Sequence, residues 1–309
     1  MAGDFPPSAH SASAAGNGGE AMTAEERGVA TMFRRQLGES PDNGERRLLQ
    51  RRALDDRVKR TAKGAAGALV FIGLWEALRA SGWVDPRDLP AVPAIIGSAW
   101  TNLVEGPLWA AVGGTLASWA LGLLIASALG VTMGIAVGLL PRVEIATRPL
   151  LEFMRPIPSV ALIPVALIVL GLGFRMEVAL VAFASLWPVL FSVKAGVEGT
   201  DPRFIETGRM LGLSRAARVS RIVLPAAVPA LATGVRTASS IALVLAITVE
   251  MLTGQSGAGQ FLQAQRISGE VTGMWAGVLV CGLLGYALSS AFLFIEKRLL
   301  AWSPEYREN

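Results

Sequence analysis

Apolar residues gather in six long stretches of this chain, near 62–81, 110–139, 150–172, 176–196, 227–252 and 273–295, and charged residues collect between them. Crossing a bilayer takes about 20 mostly apolar residues, so each stretch reads as a membrane-spanning helix. The predicted fold class is an all-α polytopic membrane protein with about six transmembrane helices and both termini on one face. The second stretch is long enough to tilt. Its Gly130, Gly134 and Gly138 recur at four-residue intervals, a spacing that lets another helix approach closely. The third carries Pro156, Pro158 and Pro164, each of which removes a backbone donor. A break is expected there, and broken backbone inside a membrane must face protein or a water-filled cavity.

Lys and Arg in short loops mark the cytoplasmic side. The approach to the first stretch holds Arg57, Lys59, Arg60 and Lys63. On the same side fall Arg142 and Arg148, the run Lys194, Arg203, Arg209, Arg215, Arg218 and Arg221, and the terminal Lys297, Arg298 and Arg307. The opposite side holds only Arg87, Arg175 and Arg266. This pattern predicts a multi-pass protein of the cell inner (plasma) membrane with both termini cytoplasmic. Residues 1–60, with ten basic and nine acidic residues, read as a polar, largely disordered cytoplasmic tail. Residues 61–302 read as the transmembrane domain and 303–309 as a short cytoplasmic tail. The chain start has no positive region followed by an apolar run, so insertion is expected to be driven by an internal span.

Composition narrows the function. The chain is 52% hydrophobic and 17% charged, with mean hydropathy +0.48, against about 45–50% and about 25% in soluble domains. An ordinary soluble protein is excluded. The net charge of +4 follows from basic cytoplasmic loops and needs no nucleic-acid partner. A single cysteine, Cys281, and a single histidine, His10, leave no internal disulfide and no Cys/His metal site. There is no HExxH or GxSxG arrangement for catalysis, and no GxxxxGK[ST] loop for a nucleotide. Trp75, Trp83, Trp100, Trp109 and Trp302 fall near the ends of predicted spans, where an aromatic belt is the ordinary explanation.

The connection 198–225 carries the densest local signals. Asp201 suits an N-cap and Pro202 the first helical position. Phe204, Ile205, Gly208 and Leu211 mark a short helix, and Gly212 is placed to end it in a left-handed cap with Leu213 folding back. Ser214 suits the cap of a second helix running toward Ile222, with Pro225 just before the next span. The two readings are a compact knob of two helices about a glycine turn, and an amphipathic linker lying on the headgroups.

Glu206, Gly212, Ile222, Leu224 and Pro225 stand in the spacing of the Glu-Ala-Ala loop, so this segment resembles that of ABC importer permeases. Thr207 and Gly208 replace the two alanines; both are small, though glycine weakens a helix by about 0.5–1 kcal/mol relative to alanine. LPAVPAIIGSAW at 89–100, the stretches 114–140 and 155–173 and the VEML of 249–252 extend the resemblance to the nitrate/sulfonate/taurine-type branch, from Leu89 to Trp302. Gly257, Ala258 and Gly259 stand where the family has Gly-Leu-Gly.

The resemblance implies a type I importer permease that binds no cofactor itself. ATP and Mg would be bound by separate cytoplasmic ABC ATPase subunits, an extracytoplasmic substrate-binding protein would deliver a small anionic solute, and a second permease copy would complete the pathway as a homodimer. It assigns coupling to the ATPase to Glu206, Thr207, Gly208, Gly212, Leu213, Ser214, Ile222, Leu224 and Pro225; side-chain spacing alone offers Arg209 and Arg215 as local partners of Glu206.

An ionisable group within a span is a functional candidate by default. Glu76 in the first span and Glu250 at the end of the fifth are such groups, Glu250 as a shaper of the outer gate, with Glu177 at a span boundary. The candidate pathway residues are Arg155, Pro156, Ser159, Ser185, Thr248 and Glu250, although hydroxyls in spans more often bond their own helix. The alternative reading is an independent secondary transporter or channel, which has no need of a folded cytoplasmic knob; neither internal symmetry nor ion-coupling charges are evident for it.

Overall fold

The computed structural model describes residues 62–64, 66–85 and 87–300. The expectations for 1–60, for His10 and Trp302 and for 303–309 lie outside the described residues. The chain divides into two units, 1–71 and 72–309. In the first, residues 62–64 and 66–71 are helical. The second opens with helical residues 72–80, here α1. It continues with α2 (Val92–Val104), α3 (Leu108–Leu139), α4 (Pro141–Met154), a 3-10 turn (Ser159–Leu162), α5 (Ile163–Leu170) and α6 (Phe174–Glu198). Then follow α7 (Pro202–Met210), α8 (Arg215–Arg218), a π turn (Val219–Val223), α9 (Leu224–Thr253), α10 (Ala258–Ile267) and α11 (Val271–Leu299). All regular structure among the described residues is helical, as bilayer-embedded backbone requires.

The centre of the bundle is α6. Its apolar window is 61% buried, whereas that of α11 is 6% buried. Along one side α6 meets the glycine stripe of α3. A Cβ at Gly130 would sit 2.8 Å from Val189 Cβ, one at Gly134 2.7 Å from the Leu190 carbonyl oxygen, and one at Gly138 2.9 Å from Val197 Cγ1. The four-residue spacing is therefore a helix-packing seam. On its other side α6 packs Met176, Leu180 and Ala184 against Leu245 and Val249 of α9, and Val181 against Ala242 and Ala246. At Gly134 the obstructing atom belongs to the backbone and cannot rotate away. Gly134→Ala is expected to lower stability by about 1–3 kcal/mol, the cost of overpacking, read as a lower unfolding temperature in detergent.

Residue numbers rise together across the α3–α6 seam, so the two helices run parallel. The segment between them must therefore recross the bundle. It does so as a bent pair, Pro141–Met154 and Ser159–Leu170, at 85°. Pro158 precedes the 3-10 turn in extended conformation and Pro164 lies in the first turn of α5. The predicted break is present, but two features differ from the sequence reading. The stretch expected to begin near 150 starts as α4 at Pro141, one residue after α3, so Arg142 and Arg148 lie in a helix and not in a loop. A proline at the first helical position and an Arg148–Glu152 ion pair of 2.8 Å support this polar start. Similarly, α6 runs to Glu198, which places Lys194 within the helix, where it pairs with Glu144 of α4 at 3.0 Å and Glu198 at 2.9 Å.

Four described helices are long and apolar enough to cross a membrane, five crossings with the bent pair, against about six expected. Over the first expected span the described helical residues are 62–64 and 66–80.

Candidate functional site

The connection between α6 and α9 folds as a knob, and its geometry follows from short-range chemistry. Asp201 caps α7 by accepting a hydrogen bond from the Arg203 amide at 2.9 Å, with Pro202 at the first helical position. At the other end Gly212 adopts φ 74°, a left-handed conformation that disfavours side chains. The Leu213 amide then donates to the Gly208 carbonyl and the Gly212 amide to the Arg209 carbonyl, each at 3.0 Å, the paired bonds of a Schellman cap. Ser214 caps α8, accepting from the Ala217 amide at 3.2 Å. Beyond this point the structure departs from the expected second short helix. Helical backbone continues through the π turn into α9 without a break, and Pro225 sits in the first turn of α9. A π turn alters which amides need intrahelical acceptors, so the proline is accommodated where it would otherwise interrupt a ladder.

The inner face of the knob ties it to the spans. Gly208 is buried, and a Cβ there would lie 2.7 Å from Ile222 Cδ1, so α7 rests directly on the start of the long helix. Ile205 packs on the cluster that contains Val193 and Val197 of α6, Val223 of the π turn and Ala227 of α9. The outer face is apolar and exposed: Phe204 is 63%, Met210 86% and Leu211 74% accessible. These side chains sit among exposed Arg203, Arg209 and Arg215. Phe204 and Leu211 marked the short helix in the sequence without showing that they point outward; the small inward residue Gly208 was the signal for which face turns to the protein.

Glu206 is exposed on this surface, and no ion pair of the described residues joins it to Arg209 or Arg215. Thr207 is exposed and donates to the Arg203 carbonyl of its own helix at 2.8 Å. Leu213, Ile222 and Leu224 are half-buried, and Ser214 and Pro225 are exposed.

The six pathway candidates separate into two sets. Arg155 ends α4, with its guanidinium carbon 4.8 Å from the centre of the Phe191 ring, a cation–π contact at the bend. Pro156 lies in the bend and Ser159 opens the 3-10 turn. Thr248 donates to the Val244 carbonyl of its own helix at 2.7 Å. By contrast Ser185 is fully buried, its hydroxyl 3.4 Å from the Ala238 carbonyl across the α6–α9 seam.

Glu250 is also fully buried. It accepts hydrogen bonds from the Thr115 hydroxyl at 3.0 Å and the Gly259 amide at 2.8 Å, while Thr115 accepts from the Ala258 amide at 2.9 Å. Three elements, α3, α9 and α10, are thus knotted at the end of the bundle opposite the knob. Gly257 and Gly259 lie so close that a side chain at either would overlap Glu250 or the α9 backbone. Glu76 accepts from the Val92 amide at 2.9 Å, capping α2, and pairs with Arg79 at 3.3 Å. Trp75 meets Trp275 edge-on with ring centres 4.9 Å apart, and Trp83, Trp100 and Trp109 are exposed. Among the described residues no three His, Cys, Asp or Glu side chains gather as a metal site.

The family described as binding-protein-dependent transport system inner membrane component matches residues 126–301. A putative aliphatic sulfonates transport permease of Bacillus subtilis is 26% identical over 244 residues, 79% of this chain and 88% of that protein. The taurine transport system permease of Escherichia coli is 26% identical over 241 residues, 76% of this chain and 88% of that protein. The nitrate import permease of Leptolyngbya laminosa is 24% identical over 253 residues, 79% and 89% of the two chains. The fold is shared with a chain from an inward-facing structure of the MetNI methionine ABC transporter, at TM-score 0.56 and 18% identity, covering 63% of this chain and 98% of that one. With more than half its length matched by the family and its spans and knob arranged as described, this chain belongs to the binding-protein-dependent transport system inner membrane components.

Proposed function

We propose that this chain is the permease subunit of an ATP-driven ABC importer, and that the knob between α6 and α9 receives the movement of a separate cytoplasmic ATPase. The single observation that carries the reading is the construction of the knob. Its inner face is packed on two spans through Ile205, Gly208 and Ile222, while Phe204, Met210 and Leu211 stand exposed. Exposed apolar side chains beside charge are a surface for a protein partner. A rigid element joined to two long helices passes a push at one end into rigid-body motion of both. A secondary transporter or channel gives such a surface no task.

In this reading ATP and Mg are bound by the partner, an extracytoplasmic binding protein delivers the solute, and a second copy of the chain completes the pathway as a homodimer. The chain lies in the cell inner membrane with the knob and both termini cytoplasmic. The named cargoes of the relatives, sulfonates, taurine and nitrate, all carry an anionic group. Arg155, Pro156, Ser159 and Thr248 form the proposed pathway set, with Arg155 as its cation; Ser185 and Glu250 are assigned to packing. The test is co-purification in mild detergent from the native membrane. A P-loop ATPase is expected with the wild-type chain and is expected to be lost from Met210→Asp, which places a charge on the exposed apolar patch without touching the inner face. Recovery of the ATPase at the wild-type ratio with Met210→Asp would refute the docking surface.

A further inference from the structure

The end of the bundle opposite the knob holds two buried carboxyl groups that the proposed transport cycle does not use. Glu250, on α9, is fully buried, and Glu177, in the first turn of α6, is 3% exposed. They face each other within interaction distance, where Met176 and Val249 beside them are already in one packed cluster. On each, one oxygen, Oε1, has no hydrogen-bond partner. Both donors at this place, the Thr115 hydroxyl and the Gly259 amide, are spent on the other Glu250 oxygen. The neighbouring Ser118 hydroxyl, on α3, donates to the Thr115 carbonyl at 3.0 Å.

No neighbouring element brings a cation. From α3 come the hydroxyls of Thr115 and Ser118, from α10 the backbone of Gly257 to Gly259, from α11 the Cys281 thiol, and from α6 Glu177 itself, with Arg175 exposed two residues earlier. The donor set matches one negative charge. Two hydrogen bonds and the N-terminal end of α10 meet a single carboxylate on Glu250, whereas Glu177 has within reach only the Ser118 hydroxyl, whose proton goes to the Thr115 carbonyl. Two charged carboxylates in mutual contact and out of water would repel with no compensating partner.

We propose that Glu177 and Glu250 share one proton, so that their contact is an O–H···O⁻ hydrogen bond joining the end of α6 to the α3–α9–α10 knot. The shared proton turns two opposed acceptors into a donor and an acceptor, the strongest class of neutral-to-ionic hydrogen bond. A metal ion does not suit the place, because the Gly257 backbone already closes over the Glu250 carboxyl. The pair thereby fastens α6, one of the two helices that carry the knob, to the opposite end of the bundle.

Infrared spectroscopy of the full-length protein in phosphatidylcholine nanodiscs tests this directly. The wild type is expected to show the C=O stretch of a buried protonated carboxylic acid, shifted in D2O. Glu177→Gln, whose amide donates to Glu250 in place of the shared proton, is expected to lose that band while remaining folded. Glu250→Gln is expected to lose it as well and serves if the first variant is not recovered. A wild-type spectrum without the band overturns the proposal, as does a band unchanged in Glu177→Gln. A wild type lacking the band whose unfolding temperature rises with sodium or potassium at constant ionic strength would place a metal cation between two carboxylates, and also overturns it.

Discussion

Replacing Gly212 by valine is expected to abolish uptake while leaving membrane insertion and yield unchanged. Gly212 holds φ 74°, where an L-residue costs about 1–2 kcal/mol and a β-branched one is a genuine outlier. That cost falls on a small element. The helix it terminates has nine residues, Pro202–Met210, and helices shorter than about 12–15 residues are marginal without tertiary support. The support is limited to Ile205 and Gly208 on one face. Losing the two bonds of the Schellman cap, Leu213 to Gly208 and Gly212 to Arg209, releases the knob. The apolar lengths of α6 and α9, which govern insertion, are untouched. Gly212→Asn separates conformation from side-chain bulk, because asparagine tolerates the left-handed region. It is expected to retain most uptake. Measured solute uptake in reconstituted vesicles, normalised to inserted protein, checks both variants; full uptake by Gly212→Val would show that the knob transmits nothing.

The caps and the glycine turn of the knob were legible in the sequence because their signals are local, although an amphipathic linker fitted the same residues. An N-cap at Asp201, a proline at the first helical position, a glycine at the left-handed residue and a serine cap at 214 each act within five residues of themselves. The glycine stripe of α3 was legible for a similar reason: Gly130, Gly134 and Gly138 share one helical face whatever packs upon it. What packs upon it, α6 in parallel orientation, was not. The three prolines located the break in the third stretch but carried no information on its 85° angle or on the start of α4 at Pro141. Polar residues set between spans read as loop, yet the Arg148–Glu152 pair is a helical pair. Ser185 read as a pathway residue because its burial depends on α9, whose Ala238 lies 53 positions away.

The role of Glu250 was the least legible, since its partner Thr115 lies 135 positions away. Glu250→Ala is expected to lower stability far more than Glu250→Gln. The alanine variant removes the acceptor of the Gly259 amide and of the Thr115 hydroxyl, both buried. Each orphaned donor costs about 1–3 kcal/mol, and the vacated carboxyl adds a cavity term. Thr115 recovers part of its loss, because its hydroxyl is also 3.3 Å from the Ala111 carbonyl; the Gly259 amide has no such second acceptor in its helix, lying in the first turn of α10. Glutamine keeps one oxygen for these donors and turns its amide toward Glu177, so its expected cost is the smaller. The single thiol gives the measurement: Cys281 is half-buried in α11, and its labelling by a thiol-reactive fluorophore on heating reports unfolding. Equal labelling temperatures for Glu250→Ala and wild type would mean that the hydrogen bonds at Glu250 do not hold α3, α9 and α10 together.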